Sequence, residues 1–189
     1  MAHPTVTQLV RRIPPPRDPD PFQGTTLNSS IGGDVELPRD YLEFMRIYGP
    51  GYITEAGHPS IWILDLAGVS DAEMIQKELK VAAEDHKYDD TTYPPAFPSV
   101  PGLLPWGIWD QGGILYWWTT GAAHEWTIAV KLQIEFERYA CTFTEYLLGN
   151  IAGQPGRAFR TYLIPQDGRE VRYCPSSRYR ECFTGEYKP

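Results

Sequence analysis

The stretch LLPWGIWDQGGILYWWTTG at residues 103–121 holds four of the six tryptophans of the chain. In its second half, ILYWWT, successive side chains point to opposite sides of an extended chain, and both sides are apolar. Such a strand is typical of the middle of a sheet that is covered on both faces. The stretch therefore predicts a central strand, with Trp117 and Trp118 in the core on its two sides.

Helix signals lie on both sides of this stretch. The segment LPRDYLEFMRIYGPGY predicts a helix from Pro38 to Gly49, because its apolar residues recur every three to four positions. A Ser-x-x-Glu capping box predicts a second helix over residues 70–83, and a Thr-x-x-Glu box predicts a third over residues 142–153. These helices can cover the faces of the predicted sheet.

Two further segments predict strands. SIWILDL at residues 60–66 is a short apolar run, as in a buried strand. WTIAVKLQIEFERY at residues 126–139 places six apolar residues at every second position, which predicts one long bent strand or two consecutive strands with a solvated face. The order of helices and strands predicts an α+β fold, in which a central mixed, largely antiparallel sheet is flanked by helices.

The two ends of the chain differ from its middle in composition. Residues 1–26 hold six prolines up to Pro21, which predicts a tail or extended arm without helix or central strand. Residues 27–153 are the predicted single domain, and residues 154–189 are a predicted basic extension with a net charge of +3. The three cysteines are too few and too widely spaced for a disulfide framework or a zinc site, so reduced thiols are expected.

Charge is distributed unevenly along the chain. Residues 34–153 contain seven Lys or Arg against 18 Asp or Glu, a net charge of −11. A nucleic-acid-binding footprint has the opposite sign, so no nucleic-acid partner is expected. An acidic body is typical either of a merely solvated surface or of a surface that attracts a basic partner. The residues predicted to attract such a partner are Glu84, Asp85, Asp89 and Asp90.

Signals for membrane insertion and secretion are weak. The longest apolar runs are far shorter than the roughly 20 residues that cross a bilayer. Residues 1–16 contain no apolar run like that of a secretory signal. A cytoplasmic protein without a membrane partner is therefore expected.

Catalytic and metal-binding motifs are incomplete. His124 and Glu125 begin like the zinc motif H-E-x-x-H, but Ile128 stands where the second histidine is needed. The chain contains neither a P-loop nor a nucleophile-elbow motif, and its four histidines are scattered. We therefore expect no enzyme, no catalytic residues, no metal and no cofactor.

Five segments within residues 31–153 follow one another in a recognisable order. They are LPRDYLEFMRIYGPGYI, IWILDL, LLPWGIWDQGGILYWWTTG, WTIAV and TFTEYLLGNIAG. In this order they resemble the SUKH superfamily, which includes the Smi/Knr-type proteins. The resemblance implies an α+β fold and, for a bacterial member, an immunity protein that neutralises a toxin such as a nuclease or deaminase. It also implies that the Leu-Pro-Trp-Gly turn is largely a fold determinant.

Three functions stay open at this point. The first is an immunity protein that blocks a basic protein toxin through its acidic surface and an aromatic cleft. The second is an intracellular scaffold or regulator, and the third is a small-ligand or peptide binder whose pocket is lined by Trp106 and Trp109. For the first, the expected anchors are Trp106 and Trp109, with Asp110 and Glu125 supplying charge beside them.

Overall fold

The computed structural model describes residues 3–55, 58–110, 112–151 and 171–184 of the 189 in the chain. Within these residues the helices are α1 Pro4–Arg12, α2 Arg39–Tyr48, α3 Ala72–Tyr88, α4 Phe143–Ile151 and α5 Tyr179–Thr184. The strands are β1 Gly51–Glu55, β2 His58–Ile63, β3 Gly102–Trp109, β4 Gly113–Thr119, β5 Thr127–Leu132, β6 Glu135–Tyr139 and β7 Val171–Pro175. Two short 3₁₀ turns, Ala123–Glu125 and Ser176–Arg178, precede β5 and α5.

All seven described strands form one sheet in the order β6-β5-β4-β3-β2-β1-β7. Every pairing in it is antiparallel. Strands β1 to β6 therefore lie beside their neighbours in the chain, whereas β7 joins β1 at the far edge. The predicted α+β class with a largely antiparallel sheet is confirmed, and so is the interior position of β4.

Helices α1, α2 and α4 pack together on one face of the sheet, which we call the first face. Tyr41 of α2 lies edge-on to Trp117 of β4, with ring centroids 5.1 Å apart, and edge-on to Phe143 of α4 at 5.3 Å. The Tyr41 hydroxyl donates to the Leu64 carbonyl at 2.6 Å, so this buried polar group is satisfied. The first face therefore combines dense aromatic packing with few buried polar groups that need a hydrogen-bond partner.

Helix α3 packs on the opposite face of the sheet, which we call the second face. Tyr116 of β4 is fully buried there among Leu103, Ala129 and Ala82 of α3. Its hydroxyl has no hydrogen-bond partner among the described residues, and burial raises the pKa of this group. The prediction that β4 is covered on both sides is confirmed, although the second cover is thinner than the first.

The two tryptophans of β4 differ in burial. Trp117 is 1% exposed in the main core, as predicted. Trp118 is only partly buried, so its prediction as a core residue is wrong. The guanidinium of Arg138 lies 3.6 Å from the centroid of the Trp118 ring, and Phe136 packs beside it at 6.3 Å. Trp118 is therefore covered by two side chains of β6, Arg138 and Phe136.

Strands β5 and β6 form a hairpin with a two-residue turn at residues 133–134. Leu132 pairs with Glu135 across this turn, and Gln133 has a φ of 54°. The turn breaks the alternation of the 126–139 segment, so Phe136 lies opposite Lys131 on the second face. The predicted shared face is wrong beyond Leu132, and Ile134 is 84% exposed at the turn.

The prediction of a tail at residues 1–26 is wrong for its described part. Pro4–Arg12 form α1, whose apolar residues Val6 and Leu9 are buried, as is Ile13 behind it. Pro4 lies in the first helical turn, where a missing N–H costs nothing. The later prolines end the helix rather than prevent it, and Leu9 and Ile13 belong to the same core as residues of the predicted domain.

The predicted C-terminal extension also adds to the sheet, because β7 pairs with β1 over five residues. A disulfide joins Cys174 of β7 to Cys182 of α5, so the expectation of reduced thiols is wrong for this pair. Disulfides are typical of oxidising compartments, and the cytoplasmic location stays a prediction. Residues 152–170 and 185–189 lie outside the described residues, and with them the predicted helix end at Gly153.

The two predicted capping boxes have different outcomes. At α4 the Glu145 carboxylate accepts from the Thr142 N–H at 2.9 Å and the Thr142 hydroxyl accepts from the Glu145 N–H at 3.4 Å, as predicted. At α3 the helix is capped by Asp71 rather than Ser70, without a side-chain cap hydrogen bond. Helix α3 also continues to Tyr88, five residues beyond its predicted end at Ala83.

Candidate functional site

Trp106 and Trp109, the expected aromatic anchors, lie inside the protein. They are 0% and 4% exposed. The ring of Trp106 packs edge-on against Phe143 at 4.9 Å and against Tyr146 at 6.0 Å, which places it between β3 and α4. Their predicted role as surface anchors is incompatible with this burial. The indole cluster is mainly a core feature.

Asp110 and Glu125 are both exposed, but the structure does not bring them together. Asp110 follows β3 and lies at the turn into β4. Glu125 belongs to the 3₁₀ turn after the other end of β4, where its carboxylate accepts from the Ala122 N–H at 2.9 Å. A seven-residue strand separates them by about 23 Å, so they cannot flank one anchor.

Asp110 instead lies at the end of the sheet that meets the C-terminal end of α3. The first residue of β4, Gly113, pairs with Leu132, so the β3–β4 turn lies beside the β5–β6 turn. The Tyr93 hydroxyl, from the loop after α3, donates to the Ile134 carbonyl at 2.9 Å. We call this part of the surface the acidic end, and its carboxylates are Glu84, Asp85, Asp89, Asp90, Asp110 and Glu135.

Asp85 and Asp89, two carboxylates of the acidic end, have contacts within the chain that fix local structure. Asp85 forms an ion pair with Lys131 of β5, which ties α3 to the second face. Asp89 accepts from the Thr91 hydroxyl at 2.6 Å and from the Thr91 and Thr92 N–H groups at 3.1 and 3.2 Å. These hydrogen bonds, that of the Thr91 side chain first, lower the pKa of Asp89 to about 2. Asp85 therefore fixes the position of α3, and Asp89 fixes the turn that follows it.

The remaining carboxylates of the acidic end face solvent. Glu84, Asp90, Asp110 and Glu135 are exposed, and beside them lie two large apolar side chains that are almost fully exposed. Tyr88, the last residue of α3, is 90% exposed, and Ile134 is 84% exposed. The sequence did not single out these two residues, because Tyr88 lies past the predicted end of α3 and Ile134 falls in the inward-facing series of its segment. The turn at Gln133 reverses that series.

A cavity of about 80 Å³ lies near the other end of β5, where the 3₁₀ turn Ala123–Glu125 meets the starts of α2 and α4. Its aromatic lining comes from Trp117, Trp126 and Phe143. Further lining residues are His3, Pro38, Arg39, Asp40, Ala123, His124 and Thr142. The cavity is far smaller than the roughly 300–1,000 Å³ pockets of drug-sized ligands, so it suits a few non-hydrogen atoms.

Polar contacts hold the cavity wall in place. Asp40 is 4% exposed and accepts from the Thr144 N–H at 2.8 Å and the Thr144 hydroxyl at 2.9 Å. Glu43 accepts from the His3 N–H and from Arg39 at 3.0 Å. Burial raises the pKa of Glu43, but the hydrogen bonds from His3 and Arg39 outweigh it and lower the pKa below its ordinary value.

Within the described residues, no three His, Cys, Asp or Glu side chains are grouped so that they could hold a metal ion. None of the helices in the same part of the chain has both the length and the apolar character needed to cross a membrane. His124 lies beside the cavity, and His86 contacts the Tyr93 carbonyl through Nδ1 at 2.7 Å. These two histidines are thus placed at separate sites.

Comparisons of the chain with protein-family models, with curated proteins and with solved structures found no match. The SUKH resemblance therefore stays a prediction from the quoted segments. The acidic end and the cavity beside Asp40 are the two candidate sites that the geometry offers.

Proposed function

We propose that the protein binds a basic protein partner through its acidic end and acts by occupying that partner in a one-to-one complex. The partner class is a protein toxin, nuclease-like or deaminase-like, which would make this chain an immunity protein. The function rests on binding and needs no turnover.

The observation that carries the proposal is the composition of the acidic end. Four exposed carboxylates surround a part of the surface where Tyr88 and Ile134 project into solvent. Complementary charge accelerates the encounter with a basic partner, while exposed apolar and aromatic side chains supply area that a complex can bury. Both features lie on α3, β6 and the turns beside them, which are held together by the Asp85–Lys131 ion pair and the Tyr93 hydrogen bond.

Two further observations support a binding role. The tryptophans that the sequence offered as a ligand platform are committed to packing, which leaves the exposed surface as the place for recognition. The resemblance of the quoted segments to the SUKH superfamily favours the toxin-neutralising class over other binding proteins. The net charge of −11 over residues 34–153 agrees with a basic partner.

The test is co-expression of the full chain with the toxins encoded beside its gene, followed by pull-down and titration. A toxin that is neutralised at a one-to-one ratio supports the proposal. Protection at far below stoichiometric amounts would indicate an enzyme. Absence of any interaction with these toxins would overturn the immunity proposal in favour of an intracellular scaffold or regulator.

A charge variant then locates the interface. The combined change Glu84→Gln, Asp90→Asn, Asp110→Asn and Glu135→Gln removes four negative charges from the acidic end. We expect the association rate with the captured toxin to fall at least tenfold at low salt and to depend less on salt, because the attraction is electrostatic. Stopped-flow mixing measures the rate, and thermal melting checks the fold.

The matched control removes the same number of charges elsewhere. Its changes are Asp18→Asn, Asp34→Asn, Glu36→Gln and Glu73→Gln, all at exposed positions. The control variant should associate within about twofold of the parent, because only total charge has changed. If the two variants were slowed equally, the acidic end would be only a solvated surface and the interface would lie elsewhere.

A further inference from the structure

The cavity beside Asp40 combines an aromatic lining with a buried carboxylate. Trp117, Trp126 and Phe143 are 1%, 5% and 1% exposed, so the rings are fixed by the core rather than free to move aside. Asp40, also in the lining, is 4% exposed. Aromatic faces and a carboxylate both attract positive charge.

Asp40 receives its hydrogen bonds from neutral groups. The donors are the Thr144 N–H, the Thr144 hydroxyl and its neighbour's N–H at Tyr41, at 2.8, 2.9 and 3.0 Å. The nearest arginine in the lining, Arg39, has a side chain that is 70% exposed and pairs with Glu43 at 3.0 Å. The start of α4 and the first turn of α2 therefore fix the position of the Asp40 carboxylate.

Acidic side chains contact or adjoin several residues of the cavity lining. Glu125 follows the lining residue His124, and Glu145 accepts from the N–H of the lining residue Thr142 at 2.9 Å. Glu43 accepts from the lining residues His3 and Arg39, so the arginine of the lining is already paired with a carboxylate. A volume of about 80 Å³ excludes a nucleotide or a sugar chain but accommodates an ammonium group with a few carbon atoms.

We propose that this cavity binds a small primary alkylammonium group. The ammonium contacts Asp40, and its aliphatic carbons lie against Trp126 and Phe143. The chemistry fits either the end of a lysine side chain from a protein or a free small amine. The site is independent of the acidic end, because the six residues of β5 separate the two by about 20 Å.

The test uses the full chain and three probes of equal chain length: n-butylammonium, 1-butanol and butyrate. Indole signals in heteronuclear NMR report on Trp117 and Trp126. We expect a saturable shift of these signals with n-butylammonium and none with the other two. Equal shifts with 1-butanol would overturn the role of charge, and saturable binding of butyrate would overturn the proposed ligand class.

Two variants and a control locate the binding. Ala123→Leu adds three carbon atoms to the cavity wall and should weaken n-butylammonium binding at least tenfold without loss of the fold. Asp40→Asn should weaken it by a similar factor, provided that melting confirms an intact α4. Asp34→Asn, an exposed change outside both candidate sites, should bind like the parent. Unchanged binding in Ala123→Leu would overturn the assignment to this cavity.

A further probe, Nα-acetyl-lysinamide, identifies the source of the amine. Binding as tight as that of n-butylammonium supports a lysine side chain of a protein, because the probe carries a backbone. Binding of n-butylammonium alone supports a free amine. Both results support the ammonium site, whereas failure of both amines to bind overturns it and leaves the function proposed for the acidic end untouched.

Discussion

The two faces of the sheet carry adjacent tryptophans in very different surroundings. On the first face, Trp117 is 1% exposed and contacts the rings of Tyr41 and Trp126 at centroid distances of 5.1 and 5.7 Å. On the second face, Trp118 is partly exposed and contacts Arg138 and Phe136. One position along a strand therefore separates a ring packed against α2 and α4 from a ring that helps form the surface.

This difference reflects the different interactions that stabilise the two faces. The first face gains its stability mainly from apolar burial, which involves no change of charge and so depends little on pH. The second face is covered by the single long helix α3 and the short α5, and it includes the Asp85–Lys131 pair. Its helix begins at the buried carboxylate of Asp71, which is 7% exposed. Charged groups therefore contribute to the stability of the second face, and we expect that stability to depend on pH and salt.

The sharpest test of this division is Trp117→Ala. Removing the ring leaves a cavity among Tyr41, Trp126 and Phe143, and we expect a loss of about 3–5 kcal/mol in the free energy of unfolding. Urea titrations at pH 5 and pH 8 should give the same loss, because the rings packed on Trp117 do not ionise in this range: burial raises the pKa of Tyr41 well above its ordinary value, and Trp126 and Phe143 do not titrate. A loss below about 1 kcal/mol would contradict the assignment of the main core to the first face.

Asp71→Asn tests the pH response of the second face. Burial first, and then the charge of Asp65, raise the pKa of Asp71 to about 6 against the hydrogen bond from the Asp65 N–H, which lowers it. A raised pKa means that the folded state binds the proton more tightly than the unfolded state. The stability that Asp71 contributes is therefore fully present below about pH 4 and is lost as the pH rises through about 6.

The asparagine keeps an acceptor for the Asp65 N–H but has no charge to bury. We expect the variant to be about 2 kcal/mol more stable than the parent at pH 7 and nearly equal to it at pH 4, by urea unfolding. Glu73→Gln, an exposed change in the first turn of α3, serves as the control and should leave the pH profile unchanged. Parallel pH profiles for Asp71→Asn and the parent would contradict the role of this carboxylate.

Trp118→Ala gives the smallest expected effect. The ring is partly solvated already, so its removal should cost about 1–2 kcal/mol, mostly the contacts with Arg138 and Phe136. Paired urea titrations with Trp117→Ala measure the contrast directly. Equal costs for the two substitutions would remove the distinction between the faces.

The sequence predicts the sheet well where short-range patterns decide the structure. The alternation in ILYWWT identifies β4 as a strand covered on both sides, and the Thr142 and Glu145 pair identifies the start of α4. The prediction for residues 1–26 is wrong because the local signal there is compatible with two different structures. Prolines at residues 14–21 can mark a tail or the end of a helix, and only the burial of Leu9 and Ile13 distinguishes the two.

The candidate sites were less accessible from the sequence, because they depend on which segments meet. Glu84, Asp85, Asp89 and Asp90 are evident as a charged run, but the meeting of that run with Asp110 depends on sheet order. The prediction of Trp106 and Trp109 as surface anchors was wrong, because the sequence of an apolar stretch does not show whether an indole in it packs inward or outward. The cavity at Asp40 joins residues from positions 3 to 143, which no local pattern connects.

The order of strands in the sheet also has a consequence for how the chain folds. Strands β1 to β6 pair with their immediate successors, and all of these pairings except that of β2 with β3 join segments close in the chain, which meet quickly at low entropic cost. The pairing of Ile53 with Tyr173 must instead wait for a segment 120 positions later in the chain. During synthesis the six-strand meander can therefore assemble before β7 has left the ribosome, and the outer edge of β1 stays open until the last part of the chain arrives.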